Sequence, residues 1–107
     1  MGGRPEVWIG LISVTPRPGS QELPPDRGAY VNALAIASSR WEFIDRVREA
    51  LLPLHLQLEE AEDVEPFSVR LASHVVDEDL RQLANDMSTT TAVRFGTFHT
   101  FPLQSEQ

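Results

Sequence analysis

The 107-residue chain contains no cysteine and no lysine. The first absence removes disulfides, thiolate zinc sites and cysteine nucleophiles. The second removes Schiff-base and lysine-nucleophile chemistry. It leaves nine arginines as the whole basic complement, a composition that GC-rich coding produces. Long apolar runs are missing as well. None approaches the roughly 20 residues that cross a bilayer. The stretch Val7–Val14, behind Met1-Gly2-Gly3-Arg4-Pro5, has neither the length nor the cleavage site of a secretory signal. No membrane partner is expected, and the cytoplasm is the expected location. Catalytic motifs are equally scarce: there is no glycine-rich phosphate loop, no nucleophile elbow and no histidine pair at metal spacing. His55, His74 and His99 are scattered, so neither a metal site nor a cofactor is expected.

Positive charge is in short supply too. Nine basic residues face sixteen acidic ones, a formal charge of −7. Such a surface repels phosphate backbones, so nucleic acid is not an expected partner. An apolar fraction of 41% and a charged fraction of 23% are ordinary globular values and exclude wholesale disorder. The length suits one domain, 1–107.

Val7-Trp8-Ile9-Gly10-Leu11-Ile12-Ser13-Val14 reads as a strand, apolar on both alternating sets and therefore near the middle of a sheet. Pro16 and Pro18 end it. Residues 16–28 hold four prolines and two glycines and read as a mobile surface loop. Ala29–Ala37 is a second strand, whose row Val31, Ala33, Ala35, Ala37 leaves room for a helix packed close. Ser39-Arg40-Trp41-Glu42 is a capping box opening a helix with an apolar stripe of Trp41, Ile44, Val47, Leu51 and Leu54, which Pro53 stops. On that stripe Trp41 reads as core.

His55–Glu59 alternates as a third strand, giving a βαβ unit with two parallel strands over Tyr30–Glu60. Pro66–Ser73 fits a short helix or a strand, and the helix is preferred. Asp77-Glu78-Asp79 opens a further helix with Leu80, Leu83, Ala84 and Met87 as its stripe. After the polar break Ser88–Thr91, residues 92–101 form the last strand, with Gly96 as a candidate bulge because the apolar phase shifts from Val93 and Phe95 to Phe98. The tail 104–107 is expected to fray. The expected fold is thus α+β, order β-β-α-β-α-β. It is a four-stranded mixed sheet with two or three helices on one face, a two-layer sandwich related to the ferredoxin-like plan without matching it.

Two functional readings stand side by side. In the first, the chain is a small acidic protein-interaction module, regulatory or inhibitor-like, whose partner is another, basic protein or a second copy of itself. Its candidate contact residues are Glu59, Glu60, Glu62, Asp63 and Glu65, five carboxylates in seven residues, together with Trp8 on a strand face that helices on the other side would leave bare. The same run fits a solvated strand end, and a divalent-cation site is disfavoured because neighbours on a strand point to opposite faces. In the second, a small-molecule or catalytic pocket lies between sheet and helices, with His99 as acid or base and Tyr30, Asn32 and Trp8 as lining. If the last strand keeps one phase, Val93, Phe95, Thr97, His99 and Phe101 share that face. A lone histidine without an orienting carboxylate equally suits a half-exposed strand end.

Overall fold

The structure, a computed structural model, describes residues 4–87 and 93–103. The β-branched and aromatic run at the start forms β1 (Glu6–Pro16), and it returns as β2 (Arg27–Ala37). The two pair antiparallel from Glu6↔Ala37 to Val14↔Ala29. After α1 (Arg40–Leu51) and one 3-10 turn at Leu52–Leu54, β3 (Leu56–Pro66) adds antiparallel to the other edge of β1. The chain continues through α2 (Phe67–Ser73) and α3 (Glu78–Asn85), then β4 (Arg94–Phe95) and β5 (His99–Pro102) pair with the free edge of β2. The α+β class therefore holds, as an open antiparallel sheet of five strands and three α-helices, with β1 and β2 central.

Four expectations need correction. The sheet has five strands rather than four, because the single last strand expected is split into β4 and β5. The sheet is not mixed, because every pairing is antiparallel. β2 and β3 do run in one direction, but β1 lies between them, so the βαβ unit is a split one. The helices are not on one face. Phe43, Ile44, Val47 and Leu51 of α1 pack on Ile12, Val14 and the small row Ala29, Val31, Ala33, Ala35 and Ala37. On the opposite face Phe67 of α2 and Ala84, Leu80, Leu83 and Met87 from α3 and its C-terminal end cover Ile9 and Leu34. This explains why both alternating sets of β1 are apolar. Phe43, Val47 and Leu51 are fully or almost fully buried, each worth about 1.5–3 kcal/mol against exposure. Phe43 lies against Gly10, where a Cβ would sit 2.9 Å from Phe43 Cε2 and from Val64 Cγ2.

Ser39 caps α1 by accepting from the Glu42 amide at 3.1 Å. The Glu42 carboxylate reaches one residue further back than a standard box, to the Ser38 amide at 2.6 Å and Ser38 Oγ at 2.9 Å. Trp41 does not join the core: it is 71% exposed and lies under the Arg40 guanidinium. The loop between β1 and β2 buries Leu23 and is bonded to the end of the 3-10 turn by the Arg17 amide to the His55 carbonyl at 2.8 Å and by Ser20 Oγ to the Leu54 carbonyl at 3.1 Å. The expected polar break Ser88–Thr91, the start of the last strand at residue 92 and the tail 104–107 lie outside the described residues. Among those described, no helix is long and apolar enough to cross a membrane.

Candidate functional site

The cross-strand registers sort the singled-out residues by face. Pairing aligns Glu65 with Ile9 and Leu34, Glu62 with Leu11 and Asn32, and Glu60 with Ser13, Tyr30 and His99. Residues directly opposite each other share a face, so these rows all belong to the α2–α3 side of the sheet. The helices cover the first row. The others form a half-face open at Tyr30, Glu60 and Glu62, with Leu11 half-buried and Ser13 buried between them. Tyr30 is 44% exposed and stacks on Phe101 with ring centroids 4.9 Å apart.

The acidic segment is not a frayed strand end. β3 runs through it to Pro66, and two register shifts, at Ser13/Val14 and at Ile9/Leu11, break its alternation. Each shift inserts an extra residue into β3: the first, at Glu59, puts Glu60 and Glu62 on the face of Glu59, whose Oε2 accepts from Thr15 Oγ1 at 2.6 Å, and the second, at Asp63–Val64, brings Glu65 to that side as well. The expectation that adjacent carboxylates point apart therefore fails for Glu59 and Glu60. Asp63 takes a left-handed conformation, φ 53°. Its carbonyl accepts from Arg70 Nη2 at 2.7 Å, and Glu65 is ion-paired with Arg70 Nε, so Asp63 and Glu65 belong to a different neighbourhood. Trp8 lies on the α1 side, packed against the core, with its indole N–H buried and without an acceptor among the described residues.

The last strand does not keep one phase. From Tyr30 to Ala33 β2 advances three residues, while its partner advances four from His99 back to Phe95. The extra residue falls at Gly96–Phe98, with the Gly96 amide bonded to the Asn32 carbonyl at 2.9 Å. Val93, Phe95 and Phe98 accordingly pack on the α1 side, whereas His99 and Phe101 share the face of Tyr30. This bulge opens a cleft of about 630 Å³ between α3 and the sheet, lined by Asn32, Asp79, Gln82, Asp86, Thr97 and His99 among others. A smaller cleft of about 400 Å³ adjoins it through Asn32, Asp77 and Leu80, and holds Asp63, Glu65, Arg70 and His74.

No family model matches the chain, and no characterised protein or solved structure is detectably similar to it. The chemistry of the site rests on its own geometry. Among the described residues, the histidine ring that is hydrogen-bonded is that of His74, to Ser73 Oγ at 2.8 Å, and no hydrogen bond orients His99. Ser73 Oγ also contacts the Val69 carbonyl at 3.1 Å, an i−4 back-bond that occupies its single proton. The Ser73–His74 pair is thus a helix-end arrangement rather than an activated nucleophile. Among the described residues no three histidine or acidic groups stand close enough to hold a metal ion.

The structure brings together Glu59, Glu60 and Glu62 beside Tyr30 on the open face, and Asn32 with His99 on the cleft. It separates both sets from Trp8. Thr15, Leu11 and Phe101 on the open face, and Asp79, Gln82 and Asp86 on the cleft, were not singled out from the sequence. Only the i, i+3, i+7 spacing of the last three signalled a shared helix stripe.

Proposed function

We infer that the chain is an interaction module that docks a basic protein on the open half of its sheet. The observation that supports this reading is the irregularity in β3 at Glu59, which gathers Glu59, Glu60 and Glu62 on the same face as Leu11, Tyr30 and Phe101. An apolar, aromatic centre beside a charged margin is the anatomy of a protein contact, with the aromatic supplying anchoring area and the charges steering approach. The overall charge of −7 favours a basic partner over a second copy, because two copies repel. Carboxylates along β3, an edge strand, also discourage edge-to-edge pairing between copies.

The test is kinetic. A partner captured with the tagged chain should associate about tenfold more slowly with a Glu59→Gln/Glu60→Gln/Glu62→Gln variant at low salt, and the difference should vanish at high salt. The variant should melt as the parent does, since these side chains are exposed. Unchanged association rate and salt dependence, or the absence of any salt-sensitive partner, would contradict the reading.

A further inference from the structure

Between the acidic rim of the open face and its aromatic ring lies a polar floor. Ser13 is only 8% exposed, yet its hydroxyl makes no hydrogen bond among the described residues. Alternation with Ile12 and Val14, which pack on the α1 side, turns the Ser13 side chain to the open face. Its cross-strand neighbours are Tyr30 on one flank and Glu60 on the other. Neighbouring strands lie about 4.8 Å apart, so the backbones carrying the tyrosine and the carboxylate stand roughly 10 Å apart, with this small side chain between them. Phe101 backs one side of the Tyr30 ring, which is 44% exposed and has its second side to offer. Glu59 is held by Thr15 and Glu65 by Arg70, whereas Glu60 and Glu62 make no ion pair among the described residues.

We propose, resting on the docking reading above, that the gap between Tyr30 and Glu60 seats one arginine side chain of the basic partner, its guanidinium stacked on the tyrosine and paired with the glutamate. A guanidinium is planar, stacks on aromatic rings and carries five N–H donors in a fixed fork. Two of them can meet the Glu60 carboxylate while a third donates to the Ser13 hydroxyl. The stem of the side chain would run over half-buried Leu11. A lysine ammonium is a compact, strongly hydrated charge that pairs with the carboxylate but gains less from the ring. An apolar anchor would leave the Ser13 hydroxyl and the carboxylates beside it without partners, and an anion would be repelled by Glu59, Glu60 and Glu62.

The probes are hexa-arginine and hexa-lysine peptides, equal in charge and length, titrated into the full chain at physiological salt and followed by amide chemical shifts. Both should bind through charge, with hexa-arginine about fivefold tighter and its largest shifts at Ser13, Tyr30 and Glu60. A cation on an exposed ring gains about two- to fivefold, so Tyr30→Leu should bring the two peptides close to parity. Ser13→Ala, which leaves the ring and the acids in place, should lower the preference about twofold. A melt of each variant verifies its fold. Glu59→Gln/Glu60→Gln/Glu62→Gln should weaken both peptides, since it removes the charge they share. Equal affinities in the parent, or a preference that survives both Tyr30→Leu and Ser13→Ala, would overturn the arginine seat while the docking face stands. Shifts that miss residues 11–15, 28–32 and 57–62 would overturn both.

Discussion

Replacing Gly28 by alanine tests how the aromatic centre of the docking face is built. A Cβ at Gly28 would lie 2.6 Å from Phe101 Cζ and 2.8 Å from Cε1, with the Val14 carbonyl oxygen at 3.1 Å. Carbon atoms in comfortable contact are about 3.5–4.0 Å apart, so the ring must move outward by about 1 Å. Phe101 is half-buried and has room to do so, but it then leaves its stack on Tyr30, an arrangement worth about 0.5–1.5 kcal/mol. Local overpacking typically adds about 1–3 kcal/mol, and alanine returns about 0.4–1 kcal/mol by restricting the unfolded chain. The net expectation is a loss of about 2 kcal/mol, within a span of about 0.5–4 kcal/mol. Urea unfolding of the parent, Gly28→Ala, Phe101→Ala and the double variant forms a complete cycle. With the ring gone, the two closest contacts disappear and the approach to the Val14 carbonyl at 3.1 Å remains, so the cost should fall by more than half. An equal loss in both backgrounds would refute the argument that Phe101 occupies the space above Gly28.

Two further outcomes follow from the packing and the helix cap. Gly10→Ala should cost about 2–3 kcal/mol in thermal melts, because Phe43 is fully buried and cannot yield, and Phe43→Leu should recover part of that loss. The Ser38 amide and hydroxyl, followed by Arg46, hold the Glu42 carboxyl below its ordinary 4.5. A folded value below the unfolded one means stability that is present above pH 4.5 and lost as pH falls through the folded value. The stability gap between the parent and Glu42→Gln should therefore narrow from pH 7 towards about pH 3 and not widen.

Much of the architecture was legible because its signals are local. Ser39 and Glu42 mark the start of α1, the alanine row of β2 marks where that helix packs, and the doubly apolar β1 marks the sheet's centre. Failures arose where tertiary placement decides. Trp41 sits about 100° from the centre of the buried arc Phe43–Ile44–Val47–Leu51 at roughly 100° per residue, so a three-residue spacing alone misplaced it. Glutamate and aspartate are poor strand formers, and two extra residues erase the alternation of β3 beyond Leu58, so its length was hidden. The phase shift at Gly96 was visible, but its consequence, that His99 and Phe95 point to opposite sides, needed the register with β2. Which sheet face each helix covers has no local signal at all, so the bare face expected at Trp8 is the one that α1 covers, and the open half-face lies instead on the side of Leu11 and Tyr30.

The most direct measurement of the docking account is hydrogen exchange on the chain with and without its captured basic partner. The account predicts protection concentrated in residues 11–15, 28–32, 57–62 and 99–102, the strands of the open half-face. Protection confined to the outer surface of α1 around Trp41, or to the exposed Val69, Leu71 and Val75 of α2 and its C-terminal end, would contradict it.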